Sequence, residues 1–349
     1  MKNKQIKIKY YLLTILVITL TFSACNKNED DDVTPIDLRD RAEQQVEDKD
    51  SLLEYLNSHY YNSSDFDGNL NPSIGDIIIT ELADGATVPA DHTLLINAVD
   101  TKTTIFNDEN NDVIYEYYIL EINKGGGESP NFSDDVRVSY SGNLLDEEVF
   151  DSSVIPVDFN LLSLVVGWSR VLPEFNAAES FIENGDGTVS FINPGVGIMF
   201  IPSGLAYFEA GPVGVPLYSS LIFKFELYQT KVSDHDSDGI PSFLEDLNGD
   251  EDYNNDDDDT DGNGLQDFLD PDDDGDGVLT INELEPKVYI VDTNLGEQEP
   301  VLGAKEFEFS RSEDAGIITI NTVTIKDSDN NGVDDYLDVN ITINYNDEG

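Results

Sequence analysis

Along the middle of the chain apolar residues fall in short runs that alternate with polar ones. Residues 136–144 read Val-Arg-Val-Ser-Tyr-Ser-Gly-Asn-Leu, a period of two that predicts a strand with one buried face. Gly142 is expected to permit a change of direction. Residues 117–122 predict a second strand, and Gly125, Gly126 and Gly127 a loop. Upstream, residues 37–58 predict a helix whose apolar face takes Leu38, Ala42, Val46, Leu52, Leu53 and Leu56, interrupted by Asp48, Lys49 and Asp50. A turn is expected after Tyr60 and Tyr61, at 62–64, and short strands at 77–80 and 93–96. Asp108, Asn110 and Asp112 read as a polar hairpin. Beyond Pro286, residues 287–291, 307–309, 317–320 and 339–343 predict a small β region.

The first residues follow a different pattern. Lys2, Lys4, Lys7 and Lys9 precede an apolar run at 10–22 that is short for a membrane span. Ser23 and Ala24 then precede Cys25, the one cysteine, so no intramolecular disulfide can form. The segment resembles a bacterial lipobox. That resemblance implies a signal peptide over 1–24, lipidation of Cys25, a membrane partner reached through the lipid, and residence in the cell envelope as an outer membrane lipoprotein. Residues 25–36 form an acidic tether. Its run at 26–32 resembles the surface-export signal of Bacteroidetes lipoproteins and reads equally as a solvated linker.

At 349 residues the length suits two or three domains. Against 72 Asp and Glu stand 18 Lys and Arg, a formal charge of −54. A phosphate backbone would be repelled, which excludes nucleic acid as a partner. The excess of Asp favours a small hard cation, and calcium fits.

The acidic residues are spaced, not scattered. Asp234, Asp236 and Asp238 precede Gly239, with Glu245 at the twelfth position. Asp259, Asp261 and Asn263 precede Gly264 and end at Asp270. Asp272, Asp274 and Asp276 precede Gly277 and end at Glu283. Asp327, Asp329 and Asn331 precede Gly332 and end at Asp338. This is the spacing of EF-hand-like calcium loops. Alternate side chains supply oxygens, the glycine allows the bend, and Ile240, Leu265, Val278 and Val333 offer a backbone carbonyl. Asp267 and Asp335 fit the ninth position, and His235 is expected to face solvent. The loops also resemble thrombospondin type-3 repeats. Calcium would be structural, and no cofactor is expected for catalysis.

A second set of residues is ordered over about a hundred positions. Tyr140, Gly142 and Leu144 are followed by Phe150-Asp151-Ser152-Ser153, Gly167-Trp168, Ala206-Tyr207, Val215-Pro216 and Leu221-Ile222-Phe223. The order resembles an FKBP-type peptidyl-prolyl isomerase domain across about a third of the chain. The resemblance implies an α+β chain with a bent antiparallel sheet around a short helix, joined here to calcium-loop repeats and a small C-terminal β region. It implies a prolyl pocket walled by Tyr140, Phe150 and Phe223, with Trp168 as floor and Asp151 at the rim. Leu164 would lie beside it, Val165 would present a backbone N–H, Tyr207 would donate its hydroxyl, and Val215 would close the side.

Three departures stand out. Val157 occupies the place of an aromatic, which implies a wider pocket. The run before Gly167 is one residue short, and this bears on Leu164 and Val165. Phe208 replaces a glycine, so its loop should turn differently. The domain plan is an extension at 37–110, an isomerase-like domain at 111–231 with an insertion near 176–193, calcium repeats at 232–286 and the β region at 287–349. The expected activity is peptidyl-prolyl cis-trans isomerisation assisting the folding of exported, proline-containing polypeptides. The alternative is a noncatalytic surface lipoprotein that binds proline peptides or depends on calcium.

Overall fold

The first helix, α1 (Arg41–Ser58), begins where the Asp40 carboxylate accepts the Glu43 N–H at 3.0 Å, an N-cap. Its buried face is Gln44, Gln45, Asp48, Leu52, Tyr55 and Leu56. Leu38, Ala42 and Val46, expected on the apolar face, are exposed. The inward stripe keeps helical spacing. Its first half is polar because Asp48 meets a partner in the fold beyond. A computed structural model describes residues 38–106, 112–253 and 257–347. The segment 1–24, Cys25, the tether at 25–36, Asp108 and Asn110 lie outside the described residues. Contacts group Asp40–Gly349 as one unit; of the other, Met1–Arg39, residues 38–39 are described.

After α1, β1 (His59–Tyr61) pairs with both β2 (Ile79–Glu81) and β3 (Thr93–Leu94). These strands are shorter than the expected ones, since Leu95 enters a 3-10 turn. The main sheet uses β4 (Asp100–Phe106), β5 (Val113–Asn123), β6 (Asp135–Leu144) and β7 (Val149–Asn160). The short helix α2 (Val166–Val171) follows, then a hairpin, β8 (Ser180–Glu183) and β9 (Val189–Ile192), within the expected insertion. β10 (Gly195–Ile201) and β11 (Leu221–Lys231) complete the antiparallel order β4-β5-β10-β11-β6-β7. Thus β4, placed by its sequence in the extension, is an edge strand of this sheet.

Both faces of the sheet are covered. Tyr115, Val136, Val138, Met199 and Phe225 pack with Trp168, Val171 and Leu172 of the α2 segment. On the other face Tyr118, Leu120, Ile198, Phe200 and Ile222 pack with Leu52, Tyr55 and Leu56 of α1. Central β10 is accordingly buried along its whole length, as strands with two covered faces are. Gly142 lies within β6 and turns no corner. A Cβ there would come 2.7 Å from Phe150 Cζ and 2.8 Å from Phe223 Cε1, so the glycine makes room for rings.

The acidic stretch leads through α3 (Thr280–Glu283) into β12 (Glu285–Asp292), β13 (Glu306–Asp314) and β14 (Ile317–Thr324), ordered β12-β14-β13. Residues 339–343, expected as a strand, form none. The Asp338 carboxylate draws in the Asn340 N–H and side-chain amide, and the Ile341 N–H binds the Asp338 carbonyl. That curls the backbone away from any partner. The fold is α+β with few helices. Among the described residues no helix is long and apolar enough to cross a membrane.

Candidate functional site

One face of the sheet and the start of α2 enclose a cavity of about 310 Å³ lined by Tyr140, Asp151, Phe159, Ser163, Leu164, Val165, Trp168, Tyr207 and Phe223. Trp168 is fixed first. Gly167 lets α2 close on β10, since a Cβ there would lie 2.6 Å from Ile201 Cδ1. The indole is 3% exposed. Edge-to-face packing holds it against Tyr140, with ring centroids at 5.8 Å, and Phe223, at 5.3 Å, a favoured aromatic arrangement.

The polar rim has two hydroxyls in different states. The Tyr140 hydroxyl donates to Asp151 Oδ2 at 2.7 Å. Burial, then this bond and the Asp151 charge, hold its pKa well above the ordinary tyrosine value. Burial, then the same charge, raise Tyr207. The Tyr207 hydroxyl has no hydrogen-bond partner among the described residues, so it is available to a ligand. Both groups stay protonated donors through neutral pH.

Two expected pocket residues lie outside the lining. Phe150 stands behind it, edge-on to Phe223 at 5.6 Å and Tyr207 at 6.4 Å. Val215 is buried in the adjoining core. Phe150 thus packs directly against two of the lining rings. Leu164 and Val165 do reach the lining, with Val165 as the N-cap of α2. Phe159 and Ser163 were not anticipated. Phe159 lies two residues beyond Val157, hence on the same side of β7, and packs on Tyr140 at 5.6 Å. Strand alternation was the signal that could have found it. Its ring restores aromatic surface near the place where Val157 lacks it.

The loop carrying Tyr207 is held by α1. Asp48 Oδ2 accepts the Ser203 N–H at 2.8 Å and the Ser203 hydroxyl at 2.6 Å, while Oδ1 accepts from Gln44 at 2.7 Å. All three residues are buried. Burial raises the Asp48 pKa, opposed by these bonds. Phe208 adopts φ 50°, the left-handed turn that a glycine would make there. Its ring lies beneath the Arg41 guanidinium at 4.3 Å, a contact that offsets the backbone strain.

The acidic stretch docks directly on this assembly. Arg170 of α2 pairs with Glu251 at 2.7 Å and also donates to the Asp250 carbonyl and Thr104 Oγ1. Tyr253 stacks on Phe268 at 4.1 Å, and both pack with Phe132. His235, expected to face solvent, sits edge-on to Phe268 and bonds Ser242 Oγ and the Asn160 side chain.

The four loops share one construction. Gly239, Gly264, Gly277 and Gly332 have φ between 90° and 99°. In each loop the ninth residue clasps the second, through Ser242, Asp267, Thr280 and Asp335 accepting the N–H of His235, Thr260, Asp273 and Ser328. Asp267 and Asp335 thereby brace their own loops. The carboxylates of Asp234, Asp259 and Asp327 each accept two or more loop amides as well, and Asp234 also stands against the Asp236 carboxylate. Asn263 bonds Asp261 and Asp270, and Asn331 bonds Asp329 and Asp338. Short turns close the loops in place of the long helices of an EF-hand.

Among the described residues three carboxylate groups converge: Asp236, Asp238, Glu245 and Asp273; Asp246, Asp250 and Asp258; Asp272, Asp274 and Asp276. Glu283 is buried next to the third, and burial and these neighbours push it up to about 9. The second group belongs to a fifth loop that was missed. Its Asp246, Asn248 and Asp250 keep the alternate spacing, but Glu251, at φ 60°, stands where the others have glycine.

A family model described as BamM C-terminal matches residues 235–301. The FKBP-type peptidyl-prolyl cis-trans isomerase FkpA of Escherichia coli K12 is 35% identical over 118 residues, 33% of this chain and 37% of that protein. The peptidyl-prolyl cis-trans isomerase Mip of Coxiella burnetii is 33% identical over 121 residues, 33% and 44% of the two lengths. The chain thus spans less than half of either relative. The crystal structure of Escherichia coli FkpA aligns with 37% of this chain and 53% of its own, at 28% identity and a TM-score of 0.28. Across about a third of its length, this chain is homologous to the FKBP-type peptidyl-prolyl isomerases.

Proposed function

We propose that the chain is a peptidyl-prolyl cis-trans isomerase that assists the folding of exported polypeptides, tethered to the envelope through Cys25. The observation that carries this reading is the aromatic cavity over Trp168 with the unpaired Tyr207 hydroxyl at its edge. An X–Pro bond rotates slowly because its amide is conjugated, although cis and trans are close in energy. Rotation needs no covalent step, only tighter binding of the twisted amide than of the planar one. Trp168, Tyr140, Phe159 and Phe223 would hold the proline ring away from water. The twisted carbonyl, less conjugated and a better acceptor, would take the Tyr207 hydroxyl. Asp151 would hold Tyr140 in place through their hydrogen bond.

A proline-peptide assay on the full chain tests it. Wild type should accelerate isomerisation, Trp168→Ala should lose at least about tenfold with its floor gone, and Tyr207→Phe should lose about 3- to 10-fold, the worth of one hydrogen bond. No acceleration by wild type, with both variants equal to it, removes the enzymatic reading.

Calcium is proposed as a structural ion of the acidic loops. The donors are oxygens alone, and several buried carboxylate oxygens there have no hydrogen-bond partner among the described residues, which suits a hard dication. Asp236, Asp238, Glu245, Asp272, Asp274, Asp276 and Glu283 would hold it. Its bound charge would offset repulsion among the carboxylates. Chelation should lower the melting temperature and expand the chain; a chelator that changes neither contradicts this.

A further inference from the structure

We infer that the first and third acidic loops share a single cation centre, in which Asp273 crosses from the third loop to complete a calcium site with Asp236, Asp238 and Glu245 of the first. The inference rests on the calcium reading and changes its geometry, because loops read singly would each close on ligands of their own.

Asp273 holds the second position of its loop, a place that supplies no ligand in the spacing rule. Its N–H is clasped at home by Thr280 Oγ1 at 3.3 Å. Its carboxylate leaves the loop, and oxygens of Asp236, Asp238, Glu245 and Asp273 all lie within 4.8 Å of one another. None is therefore farther from another than oxygens on opposite sides of one ion with ligands at about 2.4 Å. Glu245 is 0% exposed and Asp273 1%, yet neither carboxylate has a hydrogen-bond partner among the described residues. Asp238, 2% exposed, and Asp236 each direct one further unpaired oxygen inward. Charges taken out of water need a partner, and the described residues place no Lys or Arg against these four. Asp234 caps the amides of Ser237, Asp238 and Gly239 and stands against Asp236 at the edge of the centre.

The two loops are also packed together. A Cβ on Gly239 would lie 2.8 Å from Ile281 Cδ1 and 3.1 Å from Leu284 Cδ1. Ile240, the residue after that glycine, shares a core with Leu284, Val323 and Tyr336. An ion shared between the loops would lock this contact and make the array one cooperative body.

Calorimetric titration of the full chain with Ca²⁺, alongside melting in calcium and in chelator, tests the centre. Asp273→Asn and Glu245→Gln should each remove the same ion from the stoichiometry or weaken it at least tenfold, and the double variant should lose no more. Asp273→Asn should melt below wild type in calcium and above it in chelator, since it thins a crowd of like charges. If Asp273→Asn binds the wild-type number of ions at wild-type affinity while Glu245→Gln loses one, the shared centre is overturned and single-loop binding stands. A variant that melts lower in both buffers likewise overturns it. Wild type that binds no calcium overturns both the centre and the calcium reading.

Discussion

Replacing Gly142 by alanine tests whether the rings form one packed unit. The added methyl would sit 2.7 Å from Phe150 Cζ, 2.8 Å from Phe223 Cε1 and 3.1 Å from Phe150 Cε2. Carbon atoms settle at about 3.5–4.0 Å, so the two rings must retreat by almost an ångström. Phe223 lines the cavity and Phe150 backs Tyr207, so the retreat moves a wall and the hydroxyl. Overpacking of this kind costs about 1–3 kcal/mol, offset by about 0.5–1 kcal/mol from stiffening the unfolded chain. The net loss of about 1–2 kcal/mol should lower the melting temperature by a few degrees. Activity should fall further, about 10- to 100-fold, because displacement by about 1 Å is costly to catalysis. Gly185, with open space around it, supplies a control: Gly185→Ala should change neither. Calorimetry and a proline-peptide assay read both effects. A Gly142→Ala protein that melts lower yet keeps full activity would refute the link between ring packing and the pocket.

Asp48→Ala strands the buried Ser203 N–H and hydroxyl, and should cost about 2–4 kcal/mol in denaturant unfolding and reduce activity by loosening the Tyr207 loop. Arg170→Ala removes the Glu251 pair and two hydrogen bonds; with Glu251 half exposed, the loss should be about 1–3 kcal/mol, read as unfolding that separates the acidic array from the sheet. Alkali should destabilise the fold. Burial pushes Tyr117 up to about 12 and raises Tyr140 and Tyr207, so above about pH 10 the unfolded chain releases protons that the native one keeps. Stability should therefore fall from about pH 10 upward, while kcat/KM stays flat from about pH 6 to 9; a tyrosine titration in the activity profile below pH 9 would contradict this.

Local pattern carried much of the architecture, and its failures share one cause. The alternation of β6 was visible because each residue's neighbours set its face. The loop glycines were visible because a positive φ is a local demand. What could not be read locally were contacts made across the chain. Asp48 interrupts an apolar stripe because Ser203, 155 residues away, waits for it. Gly142 looked like a corner because the rings of Phe150 and Phe223 meet over it only in the folded sheet. The spacing rule gives Asp273 no role because its carboxylate meets those of another loop. The fifth loop was hidden by Glu251, which takes a glycine's conformation while pairing with Arg170. Phe159 differs, since the strand period already placed it beside Val157.

The central claim is that the cup over Trp168 binds a proline with its preceding amide out of plane. NMR exchange spectroscopy on a proline peptide measures this directly, because cis and trans signals are resolved and their uncatalysed exchange takes tens of seconds or more. Catalytic amounts of the wild-type chain should produce exchange cross-peaks within about a second, and Trp168→Ala at equal concentration should abolish most of them. Broadened peptide signals without exchange would mean that the cup holds proline but does not turn it, and the account would be contradicted.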